Sequence, residues 1–333
     1  MSEIAPREAI EPALDSLRAP PALGLRSVDN VEPRLKDLST ARGEPSLTRL
    51  ERGESPVVVE VPHACTWLDP ESLAHTMAPA RSIARDADLY VDELAADTPT
   101  TGATLVTAGV SRLVVDLNRA PHEYDELAAE GGLREAHPRG VLWRLTTDGD
   151  PVIAGRLSRA EVERRLSTFH EPYHRLLRRL LEEKRERFGF AVLLSAHSMP
   201  SQARPLRVRP GEESDPLEVV PGTRGGTSAH AMIARTTEQV ARSCGLSVRH
   251  DDPYRGGFIT ASMGRPAEAI HAIQVEVARR LYMDERSFAR VEPGFSALRR
   301  LFTALAEALS FEGAPEARAT LSARHAHEWP AHG

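Results

Sequence analysis

The sequence predicts an α/β fold with a mainly parallel central sheet flanked by helices. Three observations predict it. Short apolar runs of strand length recur along the chain. Stretches with helical spacing lie between them, so strands alternate with helices. Polar residues follow several of the runs directly, and in parallel sheets ligands collect beyond the carboxyl ends of the strands.

Taken in order, residues 1–54 are rich in Pro, Arg and Glu and show no sustained period. That predicts a poorly ordered arm with a short helix near 7–17. Residues 56–61, "PVVVEV", form the first expected strand, which stops at Pro62-His63. Residues 103–106 and 112–116 are the next two, and the second runs into Asn118-Arg119. A long helix is expected over 158–187. It opens Ser-x-x-Glu with Ser158 and Glu161, a capping box, and closes at Gly189. Pro172 inside it predicts a break or kink near Glu171. Residues 190–195 form a strand leading into Ala196-His197-Ser198. Residues 228–245 read as a second helix closed by glycine. The last strand, 272–277, carries Gln274 and Glu276 two apart and so on one face. From Gly313 the chain reads as a flexible tail, with His325, His327 and His332 solvated. The expected organisation is an arm (1–54), one compact domain (55–312) and a tail (313–333).

Composition narrows the function classes. The chain has 333 residues, 41% hydrophobic and 27% charged, enough to bury a core without staples. A net charge of −6 argues against a nucleic-acid surface, which needs a clustered basic field. A small anionic substrate would instead need local arginines. Two cysteines, Cys65 and Cys244, support neither a disulfide framework nor a cysteine metal site. No apolar stretch approaches the ~18 residues of a membrane span, and the first residues carry no apolar signal segment. The expected setting is cytoplasmic, with no membrane partner.

If the strands are parallel neighbours, His63, Arg119 and His197 share one edge of the sheet, and Glu276 arrives on its own strand. Each has a plain alternative. A histidine after a strand serves as a turn or capping residue as readily as a ligand. Glu276 must face solvent or meet a cation, because an unpaired buried carboxylate is costly. Asp116, in "VVDLNR", poses the same problem, and pairing with a nearby arginine is its expected role. Two histidines and carboxylates at strand ends suit zinc with an open coordination position, which makes water nucleophilic near neutral pH.

Seven segments appear in order: "VPHA" (61–64), "RDADLYVDEL" (85–94), "SRLVVDLNRAP" (111–121), "PYHRLL" (172–177), "AHS" (196–198), "GTRGGTS" (222–228) and the long block 252–285. Together they resemble the N-formylglutamate amidohydrolase family. The resemblance implies a zinc-peptidase-like (phosphorylase/hydrolase-like) α/β fold. It implies metal-dependent hydrolysis of N-formyl-L-glutamate to formate and glutamate, in histidine degradation. It implies His63 and His197 as metal ligands, with Asp88 as the carboxylate ligand and Asp86 or Glu71 as alternatives, since Thr66 stands where carboxypeptidase-like sites place a Glu. Glu276 falls where such enzymes keep a general base. Arg119 and Arg255 are the candidates for steadying an oxyanion and gripping substrate carboxylates. Asn118, Ser198, Gly256 and Gly257 complete the expected substrate contacts. The glycines suit close backbone approach to a ligand, or a plain turn. "GTRGGTS" either binds an anion through its N–H groups or caps the following helix.

Three departures from the family pattern stand out. Ser195 replaces the aspartate of Asp-Ala-His-Ser, which removes a carboxylate that would orient the ligand histidine. Cys65-Thr66 follows "PHA". Phe258 stands where relatives carry His or Tyr. The competing readings are a zinc hydrolase of the same fold acting on another N-acyl amino acid or peptide, and a non-catalytic ligand-binding relative.

Overall fold

The computed structural model describes residues 54–134, 136–202 and 216–311, and the backbone of two further strands at 35–37 and 46–50. The strands are β1 (Leu35–Asp37), β2 (Ser46–Leu50), β3 (Val57–Val61), β4 (Thr104–Thr107), β5 (Ala191–Met199), β6 (Val219–Gly222) and β7 (Ile270–Ala278). They form one sheet in the order β1-β2-β4-β3-β5-β7-β6. The central four, β4-β3-β5-β7, are parallel, while β2 and β6 add antiparallel at the two sides. The helices are α1 (Pro70–Ala74), α2 (Ala80–Asp86), α3 (Val91–Leu94), α4 (Arg159–Arg165), α5 (Glu171–Phe188), α6 (Ala231–Ser243), α7 (Phe258–Met263) and α8 (Gly294–Leu309).

Every residue of β3, β5 and β7 is buried. Strands covered on both faces have no solvent side to alternate toward, which is why they read as near-continuous apolar runs. One face packs on α5, α7 and the irregular segment 108–157, and the other on α3, α6 and α8. Along β3, Val57, Val59 and Val61 face the second layer and Val58 the first. Glu60 therefore projects into the α5 layer.

The structure departs from the sequence expectations in two places. Residues 112–116 are not a strand but a buried turn segment. Val114 N–H bonds back to Ser111, and Asp116 N–H goes to the Val141 carbonyl, so the backbone is satisfied without a sheet partner. Leu113, Val114 and Val115 are buried all the same, and an apolar run alone does not separate a strand from another buried segment. Within 1–54, two strands join the sheet beyond β4; the expected helix at 7–17, like the tail histidines, lies outside the described residues. The long helix opens on Ser158, whose side chain accepts from Glu161 N–H, and ends at Gly189 in the left-handed conformation. Its break is a π turn, Leu166–His170, immediately before Pro172 in the first turn of α5. The wider turn accommodates a ring that has no N–H to offer. Among the described residues no helix is long and apolar enough to cross a membrane.

One joint holds the segment after 116 to α7. The Asn118 side chain accepts from Ile259 N–H (2.9 Å), and a Cβ on Gly257 would stand 2.4 Å from that amide. Gly257→Ala is expected to destabilise the protein by roughly 1–3 kcal/mol, the cost of overpacking a filled site. Chemical denaturation of the two proteins measures it.

Candidate metal centre

His63 stands two residues beyond β3, and His197 lies within β5, the adjacent parallel strand. Asp88 lies two residues past α2, and its N–H bonds the His63 carbonyl (2.9 Å), tying that loop to the strand end. The three side chains are buried, and one ligand atom from each lies within 4.8 Å of the others. His197 Nδ1 is 3.0 Å from Asp88 Oδ2, and His63 Nδ1 is 3.7 Å from it. His63 Nδ1 makes no hydrogen bond although it is buried. An orphaned imidazole nitrogen beside a carboxylate and a second imidazole is the donor set of a divalent metal such as zinc. The residues present fit that ion.

Asp86 and Glu71 are placed elsewhere. The Asp86 carboxylate accepts from Thr147 N–H (3.0 Å), and Glu71 is exposed on α1. Cys65 stays outside the group; its Sγ accepts from Trp67 N–H at 3.4 Å, and burial pushes its thiol up.

Around the three lies a ring of buried charge. Asp116 accepts from His63 Nε2–H (2.8 Å), Arg112 (2.8 Å), Trp143 Nε1–H (3.0 Å) and Asn118 N–H (2.9 Å). Burial alone would raise its pKa, but Arg112 and His63 outweigh burial and hold it well below the usual carboxylate range. The expected arginine pairing of Asp116 is thus present, and the same carboxylate also orients His63. Asp88 is opposed by burial in the same way, and the hydrogen bond with His197 and the nearby His63 ring keep it low. Its other oxygen accepts from Arg279 (3.1 Å), a buried guanidinium that also donates to Ser198 Oγ (3.1 Å) and to the Ala87 carbonyl (2.9 Å). Arg112 and Arg279 were not singled out in the sequence, where nothing separates them from the many surface arginines.

Glu276 pairs in register with His197 across β5 and β7. Gln274 Nε2 donates to its Oε1 at 2.9 Å. Burial raises its carboxyl above the ordinary value, with His197 pulling the other way. All four groups open onto a cavity of about 580 Å³ whose walls also carry Arg112, Arg119, Arg139 and Arg255.

The remaining expected site residues line the same cavity in different states. Arg119 donates from Nε to the Arg139 carbonyl (3.1 Å). Arg255 is exposed, and its guanidinium has no hydrogen-bond or ion-pair partner among the described residues. Asn118 lines the cavity, but its amide is engaged by Ile259 N–H and by Gln274 (3.2 Å). Gly256 and Gly257 lie close to Thr260 and Asn118, respectively, rather than opening a bare backbone surface. The N–H groups of "GTRGGTS" that meet an anion meet one of this chain, and α6 is capped elsewhere. Thr223 and Gly225 N–H donate to the two oxygens of Asp251 (2.7 and 2.6 Å), so the anion the loop holds is its own. α6 is capped by the His230 side chain.

Two histidines beyond the sequence candidates shape the site. His170, on the π turn, donates Nε2–H to the Arg119 carbonyl, and His174 on α5 donates to that of Leu117, both at 2.9 Å. Their rings stack at 4.2 Å, and Phe258 packs against both. Burial, and His170 nearby, push His174 down to about 3, so it stays a neutral donor. The pair grips the backbone on either side of Asn118. "PYHRLL" contains His174, but only the fold shows what it holds.

Residues 55–283 match the sequence profile of the N-formylglutamate amidohydrolase family. An N-formylglutamate deformylase of Pseudomonas putida is 33% identical over 237 residues, 70% of this chain and 84% of the relative. Another, from Pseudomonas aeruginosa, is 30% identical over 71% of this chain and 85% of its own. The crystal structure of an N-formylglutamate amidohydrolase from Ralstonia eutropha JMP134 superposes with a TM-score of 0.72 at 29% identity, over 80% of this chain and 97% of that one. The chain belongs to the N-formylglutamate amidohydrolase family.

Proposed function

We propose that the protein is a zinc-dependent amidohydrolase that cleaves N-formyl-L-glutamate, or a close N-acyl acidic amino acid, into the acid and the free amino acid. One observation carries the metal dependence: the orphaned His63 Nδ1 beside Asp88 and His197. The N-formylglutamate deformylases among the relatives support the substrate class. Cytoplasmic histidine degradation is the setting this reading implies.

His63, Asp88 and His197 hold the ion. When bound, it supplies Lewis acidity, polarising the acyl carbonyl and lowering the pKa of water. Glu276 takes a proton from the attacking water as the oxygen bonds to the acyl carbon. It returns the proton to the amine nitrogen as the carbon–nitrogen bond breaks, the two roles of one general base. Gln274 holds one carboxylate oxygen of Glu276 and leaves the other to face the reaction. Arg255 pairs with a substrate carboxylate; its guanidinium has no competing protein partner among the described residues. Arg119 lines the same cavity and takes a second carboxylate or the developing oxyanion.

His63→Ala is expected to lose the metal, measured by elemental analysis of the purified protein. Glu276→Gln is expected to retain metal with turnover down at least ~100-fold, the scale of general-base catalysis. Equal turnover in Glu276→Gln would end its role as base. Arg255→Met is expected to raise KM for N-formylglutamate about 10–100-fold with kcat largely kept, as loss of a charge-assisted contact made before the transition state requires. Steady-state kinetics on a panel of N-acyl amino acids reads both this and the substrate preference.

A further inference from the structure

His197 departs from the family pattern in what supports its outer nitrogen. The aspartate expected at 195 is a serine here, yet a carboxylate is still present. Glu60 on β3 and Ser195 on β5 are register partners in neighbouring parallel strands. Both are buried, and the Ser195 hydroxyl bonds Glu60 Oε1. Tyr173 on α5 donates its hydroxyl to Glu60 Oε2 at 2.6 Å. Ser195 Oγ lies 3.1 Å from His197 Nε2.

Counting hydrogens gives this chain a direction. The Tyr173 and Ser195 hydroxyls both donate to the Glu60 carboxyl. A serine hydroxyl has one hydrogen, and Ser195 has spent it on Glu60. Toward His197 it can only accept, which suits a ring that carries hydrogen on Nε2. Nδ1 lies 3.0 Å from the Asp88 carboxylate, which accepts its hydrogen in the metal-free protein; a metal on Nδ1 would displace that hydrogen and leave Nε2–H as the ring's one donor. The other polar neighbour of Nε2 is Asn118 Nδ2, at 3.5 Å. Asn118 Oδ1 is held by Ile259 N–H, so the end facing His197 is the donor. Left to Asn118 alone, Nε2 would face a donor, and the Nε2–H that a metal on Nδ1 requires would have no acceptor.

We infer that Glu60, acting through Ser195, is a positioning residue that holds the His197 ring by its Nε2–H for a metal on Nδ1, taking over across the sheet the work of an aspartate at 195. Asp116 does the same for His63 by direct contact. The two ligand histidines thus have one carboxylate each, one touching and one relayed. Tyr173 holds the far oxygen and keeps Glu60 turned to Ser195.

This inference rests on the metal reading above, and its test separates the two. Zinc affinity of the full chain is measured by competition with a chromogenic chelator, for wild type, Ser195→Ala, Glu60→Gln and the swapped pair Glu60→Ser/Ser195→Asp. Nitrogen-15 NMR of each zinc-loaded protein reads whether the Nε2–H of His197 is hydrogen-bonded. Ser195→Ala and Glu60→Gln are expected to bind zinc about 10–100-fold more weakly, the usual effect of losing a group that orients a ligand. In Ser195→Ala the His197 Nε2–H resonance is expected to shift to the position of a free N–H. The swapped pair, with its carboxylate directly on Nε2, is expected to recover most of the affinity and the hydrogen-bonded resonance. Unchanged affinity and an unchanged resonance in Ser195→Ala would overturn the inference. Should wild type bind no zinc, the metal reading falls and this inference with it; zinc bound equally well by wild type and Ser195→Ala overturns the inference alone. Thermal melting of the metal-free variants checks folding; if Glu60→Gln does not fold, Ser195→Ala, which removes one hydroxyl, decides alone.

Discussion

The Asp116 carboxylate is the contact on which the site depends. It is fully buried, and four donors from separate parts of the chain converge on it: His63, Arg112, Trp143 and the backbone of Asn118. A buried carboxylate stays ionised only where cations and hydrogen bonds outweigh its desolvation. That requirement brings together the end of β3, the turn 112–119 and the segment around Trp143. Removing one donor would leave an uncompensated charge in the interior, far costlier than losing a surface ion pair. The same contact turns the His63 ring so that Nδ1 faces Asp88.

The rule repeats around the centre with different partners. Asp88 is neutralised from behind by Arg279, which also braces Ser198 and the backbone beyond α2. Glu60 has no guanidinium and is held by two hydroxyls, with burial raising its carboxyl and His197 drawing it back. His170 and His174 are neutral donors spent on backbone carbonyls. Most polar side chains beneath the cavity are thus committed to each other. Arg255, exposed on the cavity wall, has no side-chain partner among the described residues.

Much of the fold was legible in the sequence because its physics is local. Buried parallel strands are apolar on both faces, so β3, β5 and β7 announced themselves as runs, and the capping serine and closing glycine bounded the long helix. His63 and His197 followed from what stands after those runs, and Glu276 from its place within the last of them. Asp88 was reached through the family-like segment rather than through any period. Residues 112–116 misled for the converse reason: the same apolar run served a buried turn. "GTRGGTS" looked like an anion loop, and its N–H groups do hold a carboxylate, but that carboxylate is Asp251, twenty-six residues after Gly225.

By itself, then, the sequence determined the α/β class, the strands that carry the chemistry and the residue types waiting at their ends. Those depend on hydrophobic period, caps and turns, which act over a few residues. The tertiary structure alone separated Asp88 from Asp86 and Glu71, and showed which arginines neutralise the interior and that the acid expected at 195 has a counterpart at 60. These are distances between residues far apart in the chain. They depend on strand order and register, which bring β3 beside β5 and β5 beside β7, and no spacing along the chain encodes them.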